Sequence, residues 1–135
     1  MEIEVLKRIF DFLEDKGEHR TPLKFKLLNN VPLIEEDLNI EGILDLSFSS
    51  IKSLPEGLKV GGTLSLEYST IQTLPEGLKV GGTLDLEHSR ITNLPKGLEV
   101  GHLYIKNTQL IKYTDKELRE MIKPGFVKGK IHRIW

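Results

Sequence analysis

The chain of 135 residues contains no cysteine. This excludes disulfide scaffolds, thiolate zinc sites, cysteine nucleophiles and thiol redox switches, and it is compatible with a reducing compartment. Long apolar runs are also missing, because none approaches the roughly 18 residues that a membrane-spanning helix needs. The first four residues carry two acids and no basic side chain, so we expect a cytoplasmic protein without a secretory signal.

Aromatic residues make up only 7% of the chain, and the formal net charge is only −1. The 39% of hydrophobic and 29% of charged residues are nevertheless typical of a globular domain, and the length suits one domain with a real core. The small net charge hides an asymmetry. Residues 1–33 are neutral, residues 34–100 carry −6, and residues 101–135 carry +5. The sequence therefore predicts an acidic body followed by a basic tail.

Residue patterns typical of catalysis or metal binding are missing as well. The four histidines, His19, His88, His102 and His132, form no His-x-x-x-His pair. The segments Gly61-Gly62-Thr63 and Gly81-Gly82-Thr83 lack the lysine and the helix of a phosphate-binding loop. No Gly-x-Ser-x-Gly nucleophile motif occurs. We therefore expect no cofactor, no metal and no enzymatic activity.

A heptapeptide recurs with a period of 20 residues. Leu-Pro-Glu-Gly-Leu-Lys-Val at 54–60 returns unchanged at 74–80 and with two substitutions at 94–100. The apolar positions extend this period one step further towards the N-terminus. The four units are 34–53, 54–73, 74–93 and 94–112, the last with one residue fewer near Gly101. A period of this length is typical of a solenoid, in which each coil packs on its neighbours.

Each repeated column has a predictable structural role. Apolar pairs two residues apart predict a short strand with one buried face. These pairs are Leu44/Leu46, Leu64/Leu66, Leu84/Leu86 and Leu103/Ile105. The later apolar columns are Ile51, Ile71, Ile91 and Leu110, then Leu54, Leu74, Leu94 and Tyr113. A hydroxyl column of Ser49, Ser69, Ser89 and Thr108 lies between them, where small hydroxyls can bond the backbone of a turn.

The strand motif Leu-x-Leu and the closing Ile-x-x-Leu-Pro resemble the leucine-rich repeat family, over about 80 of 135 residues. The chain is most similar to a Leu-Pro-x-x-Leu-x-Val-Gly-Gly variant that recurs in bacterial and phage proteins. It departs from the family in having Ser or Thr where an asparagine usually follows the strand. The resemblance implies an α/β solenoid, a leucine-rich-repeat-like stack of four coils with parallel strands. It also implies that the strand face is the binding face.

The two ends are expected to cap this stack, because a solenoid exposes an edge at each end. Apolar residues at a spacing of three to four predict an amphipathic helix over residues 2–16. The alternation of Leu23, Phe25 and Leu27 with lysines predicts one strand after it.

At the other end, Thr114-Asp115-Lys116-Glu117 predicts a capping box, and Pro124-Gly125 ends the helix that follows. This helix is expected to replace a fifth coil, while residues 126–135 either add an edge strand or extend to a partner. We therefore predict a single domain, 1–135. It has an N-terminal helix/strand cap at 1–33, repeats at 34–112, and a C-terminal helix/strand cap with its basic tail at 113–135.

The outward residues of the predicted strands indicate where this protein binds a partner. An aromatic column beside an acidic patch is typical of a protein-binding face, although Phe48 and Tyr68 could instead merely cover the turn. The residues expected to contact another protein are Asp45, Phe48, Glu67, Tyr68, Asp85, Glu87, His88 and Tyr104. We therefore expect a non-enzymatic protein-binding module, with a phage- or bacterium-encoded inhibitor or adaptor as the use implied by the resemblance.

Two alternatives remain open. The basic tail, with Lys123, Lys128, Lys130, Arg133 and Trp135, mixes cations and aromatics in a way that can hold nucleic acid or nucleotides. The strand-face carboxylates could instead shift one another's pKa and support hydrolysis.

Overall fold

The computed structural model describes residues 23–29 and 31–133. The chain divides into two compact units, residues 1–37 and 38–135. The amphipathic helix that the sequence predicts over residues 2–16 lies outside the described residues, as do Ile134 and Trp135. Within the described part, no helix combines the length and the apolar character needed to cross a membrane.

The first unit contains helix α1 (Leu23–Leu28), so the strand predicted over residues 23–27 is wrong. Leu23 and Lys26 are both buried and lie three residues apart, which is a helical and not a strand spacing. The strand pattern predicts that Lys26 faces solvent, but this residue is buried. Its amine is instead buried and 3.0 Å from an Asp37 carboxylate oxygen, which also accepts from the Ile34 backbone N–H at 2.9 Å.

The second unit is a β-solenoid of about three turns, built from stacked coils with parallel strands. The short 3₁₀ helix η1 (Glu35–Leu38) leads into it. The strands in the described part are β1 (Asn39–Ile40), β2 (Leu44–Asp45), β3 (Lys59–Val60), β4 (Leu64–Ser65), β5 (Lys79–Asp85), β6 (Glu99–Tyr104), β7 (Phe126–Val127) and β8 (Ile131–His132). The predicted parallel stacking of coil on coil is therefore confirmed.

The pairing register follows the 20-residue period of the sequence. Strand β3 pairs with β5 so that Val60 is opposite Val80, and β4 pairs with β5 so that Leu64 is opposite Leu84. One shift occurs between β5 and β6, because Val80 pairs with Val100 whereas Thr83 pairs with His102. This extra residue in β5 corresponds to the residue that the fourth unit lacks near Gly101.

Glycines at the same position of successive coils allow neighbouring coils to approach closely. A Cβ atom built on Gly82 would lie 2.7 Å from the Gly62 carbonyl oxygen, and one on Gly62 would lie 2.7 Å from the Gly42 carbonyl oxygen. Side chains do not tolerate such distances to backbone atoms, so only glycine fits in this column. Among the described residues, no atom lies within 4 Å of a Cβ built on Gly42, the first glycine of this column.

The leucine and isoleucine columns form the core, as the period-two pattern predicts. The strand pairs from Leu44/Leu46 to Leu103/Ile105 are buried, and so are Ile51, Ile71, Ile91, Leu110, Leu54, Leu74 and Leu94. Tyr113, expected to complete the last column, is only half-buried. Leu118 and Ile122 are fully buried further along the chain and supply apolar surface at this end of the stack.

The C-terminal segment contains the 3₁₀ helix η2 (Gln109–Lys112) and helix α2 (Asp115–Met121). The capping box is confirmed, because the Glu117 N–H donates to the Thr114 hydroxyl and the Thr114 N–H donates to the Glu117 carboxylate. After α2, strands β7 and β8 pair with β6, so residues 126–133 extend the sheet. The sequence predicts that this tail either adds an edge strand or extends to a partner, and the structure shows it added to the sheet.

Candidate protein-binding surface

One residue in the turn after each strand has a left-handed backbone. Phe48, Tyr68, His88 and Asn107 have φ angles of 56°, 56°, 58° and 54°. Left-handed backbone costs an ordinary L-residue roughly 1–2 kcal/mol, and asparagine tolerates it best among side chains that carry a Cβ. Two coils nevertheless place a large aromatic side chain there.

These side chains form a continuous stack, which we call the aromatic column (Phe48, Tyr68, His88 and Asn107). The Phe48 and Tyr68 ring centroids are 4.9 Å apart with 9° between the ring planes. The Tyr68 and His88 rings follow at 4.3 Å and 5°. The Asn107 amide nitrogen lies 3.2 Å from His88 Nδ1 and continues the column. The regular spacing follows from the parallel strand pairing, which repeats each turn along the stack.

The two large rings of the aromatic column, Phe48 and Tyr68, are exposed to solvent. The fractional exposure of Phe48 is 75% and that of Tyr68 is 47%. Ring-to-ring stacking stabilises the turns by about 0.5–1.5 kcal/mol per pair. This energy does not exceed the cost of the backbone conformation by enough to explain the choice of residues. The other interpretation left open by the sequence, that the rings simply cover the turn, leaves this exposure unexplained.

An acidic row (Asp45, Glu67, Asp85 and Glu87) lies beside the aromatic column. Asp45 pairs in register with Ser65 on β4, and Ser65 with Asp85 on β5, so the two aspartates occupy one line across the strands. Asp45 Oδ1 accepts the Ser47 N–H, and Asp85 Oδ1 accepts the Glu87 N–H, each at 3.0 Å. These bonds fix the aspartates at the strand ends.

The surroundings of Glu87 disfavour its charged form. Partial burial raises its pKa above the usual glutamate range, and the negative charges of Asp85 and Glu67 raise it further. Lys106 and His88 oppose this shift by lowering the pKa. The carboxylates thus repel one another on this face, and a positive charge brought to Glu87 would lower its pKa and relieve the repulsion.

Tyr104 continues the line of the two aspartates, and its ring stacks on His132 with centroids 4.2 Å apart and 7° between planes. Sequence reasoning placed His132 in the basic tail and missed this contact. The sequence signal for this contact is the alternation of side-chain direction expected along residues 126–134, which places His132 on the face opposite Ile131. Because Tyr104 and His132 are 28 residues apart, the 20-residue period could not reveal their pairing in register.

The basic tail is partly engaged within the fold. Arg133 donates to Asp115 at 2.7 Å and to the Ile111 carbonyl oxygen at 3.2 Å. Lys123 forms an ion pair with Glu120 at 2.9 Å. Lys128 and Lys130 are exposed. Trp135, the fifth residue of the tail site, lies outside the described residues.

The chemistry of this surface and the comparisons with known proteins do not assign it a function. Within residues 23–29 and 31–133, no group of three or more metal-ligating side chains is placed to hold an ion. No protein-family model, no curated protein and no solved structure matches the chain. A functional assignment therefore depends on the geometry of the aromatic column and the acidic row.

Proposed function

We propose that this protein is a non-enzymatic binding module that holds a basic segment of another protein against its strand face. The contact surface comprises the aromatic column and the acidic row, with Tyr104 at its edge. The observation that carries the proposal is the stack of Phe48, Tyr68 and His88, whose backbones are all left-handed and whose first two rings are exposed.

Ring stacking stabilises the fold too little to explain why Phe48 and Tyr68 occupy left-handed turns. Phe48 and Tyr68 adopt a backbone that favours asparagine or glycine, and Asn107 occupies the equivalent turn in another coil. Exposed aromatic rings also lower solubility unless a partner covers them. Aromatic anchors beside selective charges are the usual composition of a protein interface. A partner that buries these rings accounts for both costs.

The charges favour a cationic partner. Four carboxylates form the acidic row, and Lys106 is the cation that acts on Glu87 from the same face. An arginine or lysine side chain of the partner could lie over the Tyr68 ring and pair with Glu67 or Glu87 at the same time. A cation bound near Glu87 would also lower the pKa of this carboxyl, because it offsets the negative charges of Asp85 and Glu67.

We further propose that the solenoid is a leucine-rich-repeat-like stack of four coils, 34–53 to 94–112, with α/β caps. The Leu-x-Leu strands support this, as does the left-handed position after each of them. By analogy with the similar repeat variant, the setting is the cytoplasm of a bacterium, and the protein is an inhibitor or adaptor encoded by a bacterium or a phage. A chain without cysteine is suited to such a reducing compartment.

The two alternatives receive less support. Two of the four cations in the tail, Lys123 and Arg133, are already engaged within the fold. This weakens a nucleic-acid site there. Partial burial and the neighbouring charges of Asp85 and Glu67 account for the raised pKa of Glu87, so this shift does not favour a hydrolase.

The proposal is tested by capturing partners from a bacterial lysate with the native protein and with the double variant Tyr68→Ala/Glu87→Ala. We expect the native protein to retain a basic protein that the variant releases. The captured protein is then purified, and its affinity for both baits is measured by calorimetry. A loss of at least tenfold is expected, because the variant removes one aromatic anchor and one ion pair.

The matched control is Glu76→Ala, which removes an exposed carboxylate outside the acidic row. It should bind like the native protein. Charge reversal with Lys128→Glu/Lys130→Glu tests the tail without deleting strands β7 and β8. If charge reversal abolishes binding while Tyr68→Ala/Glu87→Ala does not, the tail is the binding site and the proposal is wrong.

A further inference from the structure

The charge of the strand face changes sign along the stack of coils. Its outward positions are those before, between and after the two buried residues of each strand pair. From Ile43 to Glu87, these described positions carry the four carboxylates of the acidic row and no lysine, arginine or histidine. In the coil of β6 and in β8, the same positions carry no carboxylate. Their residues are His102, Tyr104, Lys106, Lys130 and His132.

The strand pairing makes these two regions one continuous surface. Asp85 pairs in register with Tyr104, and Tyr104 pairs in register with His132. Neighbouring strands of a sheet lie about 4.8 Å apart. The last aspartate of the acidic row is therefore one strand spacing from Tyr104 and two from His132.

We call the far end of this surface the donor cluster (His102, Tyr104, Lys130 and His132), because each of its side chains carries a hydrogen-bond donor. The Lys130 backbone N–H donates to His102 Nδ1 at 3.3 Å, which places the proton of the neutral ring on Nε2. A Cβ on Gly129 would collide with the His102 ring, so glycine makes room for it. The Tyr104 ring stacks on His132 at 4.2 Å, and the His102 and His132 centroids are 5.8 Å apart. The cluster is thus arranged by the fold itself.

We propose that the strand face binds a partner segment that is basic at one end and acidic at the other. The basic end is the segment of the proposed function, on which this inference rests, and the acidic end is new. Its carboxylate accepts hydrogen bonds from the donor cluster, where the exposed Lys130 supplies a positive charge. A segment that is basic throughout would meet repulsion at Lys130, so the change of sign also fixes the direction of the bound chain.

The test uses three synthetic peptides with acetylated and amidated ends. The block peptide is Arg-Arg-Arg-Gly-Gly-Gly-Glu-Glu-Glu. Its three glycines span at most about 10 Å, which matches two strand spacings. The glutamine peptide replaces its glutamates by glutamines, and the alternating peptide, Arg-Glu-Gly repeated three times, has the composition of the block peptide in another order.

Each peptide is titrated at constant ionic strength into the isotope-labelled protein, and amide chemical shifts are followed by nuclear magnetic resonance. We expect saturable shifts from the block peptide at both ends of the surface, and shifts from the glutamine peptide at the acidic row alone. The block peptide should bind about fivefold more tightly than either of the others, the effect of one exposed ion pair. The residues expected to shift are 45–48, 65–68, 85–88, 102–106 and 130–133.

Two charge reversals of exposed lysines form a matched pair. Lys130→Glu should weaken the block peptide about fivefold or more without weakening the glutamine peptide, because it repels the glutamates alone. Lys96→Glu makes the same change of charge outside the strand face and should bind the block peptide like the native protein. Thermal unfolding of both variants should match that of the native protein, because neither side chain is buried.

Equal affinities of the block and glutamine peptides would overturn this inference and leave the proposed function standing. So would a block-peptide affinity that Lys130→Glu does not change. An alternating peptide that binds as tightly as the block peptide would also overturn it, because composition and not the order of charges would then decide. If no arginine-containing peptide shifts the acidic row, the proposed function itself fails and this inference fails with it.

Discussion

The inward and outward columns of the repeat follow different rules. Inward positions carry nearly the same side chain in every coil, such as Leu66 and Leu86, which are both fully buried. Outward positions share one backbone geometry but vary in chemistry, as Phe48, Tyr68 and His88 do at the left-handed turn. The repetition of inward residues builds the stack, while the variation of outward residues is free to serve recognition.

The largest expected effect is the difference in stability between alanine variants of two adjacent residues on one strand. Leu84→Ala should lower the free energy of unfolding by about 2–5 kcal/mol, because it leaves a cavity between coils. Asp85→Ala should cost at most about 1 kcal/mol, the value of its bond to the Glu87 N–H. Chemical denaturation measures both, and equal losses would contradict the division into inward and outward columns.

The glycine column offers the next contrast. Gly82→Ala should cost about 1–3 kcal/mol, because the added Cβ would lie 2.7 Å from the Gly62 carbonyl oxygen and push the coils apart. Gly42→Ala is the control, because no atom of residues 23–29 or 31–133 lies within 4 Å of its Cβ position. Thermal unfolding should separate the two variants, and an unaffected Gly82→Ala would mean that the coils are not in close contact there.

A smaller effect distinguishes two members of the hydroxyl column. Ser49→Ala should cost about 1 kcal/mol, because it removes the bond to the Leu46 carbonyl oxygen. Ser89→Ala should cost nothing or stabilise slightly, because its hydroxyl is buried without a partner in the described residues. The comparison is made by denaturant titration of both variants, and a greater loss for Ser89→Ala would contradict it.

The smallest effect is a pH dependence that comes from Glu87. Since its pKa is raised in the folded state, the folded protein binds more protons than the unfolded one between the normal and the raised pKa. Stability should therefore fall as the pH rises through this window. Glu87→Gln should remove that fall, so that the variant gains stability relative to the native protein at neutral pH. Unfolding measured from acidic to neutral pH tests this, and an unchanged profile would contradict the shift.

The sequence predicted the periodic features of the molecule and missed the others. The Leu and Ile columns, the parallel strands and the capping box at Thr114 follow from spacing that repeats or from a local motif. The helix α1 did not follow, because the burial of Lys26 depends on Asp37, eleven residues away. The contact of Tyr104 with His132 was missed for the same reason, since strand β8 lies outside the 20-residue period.

The candidate site was predicted in composition but not in geometry. The sequence placed Phe48, Tyr68 and His88 in one column next to the acids. It did not reveal that their backbones are left-handed or that their rings stack, because no simple pattern marks an aromatic residue for a positive φ.

The central claim is that the aromatic column serves binding and not folding, and one paired measurement tests it most directly. The variant Phe48→Asn/Tyr68→Asn relieves backbone strain while it removes both exposed rings. We expect its unfolding free energy to remain within about 1 kcal/mol of the native value, because relieved strain offsets lost stacking, and its captured partner to be lost. A variant that unfolds readily yet keeps its partner would contradict the claim.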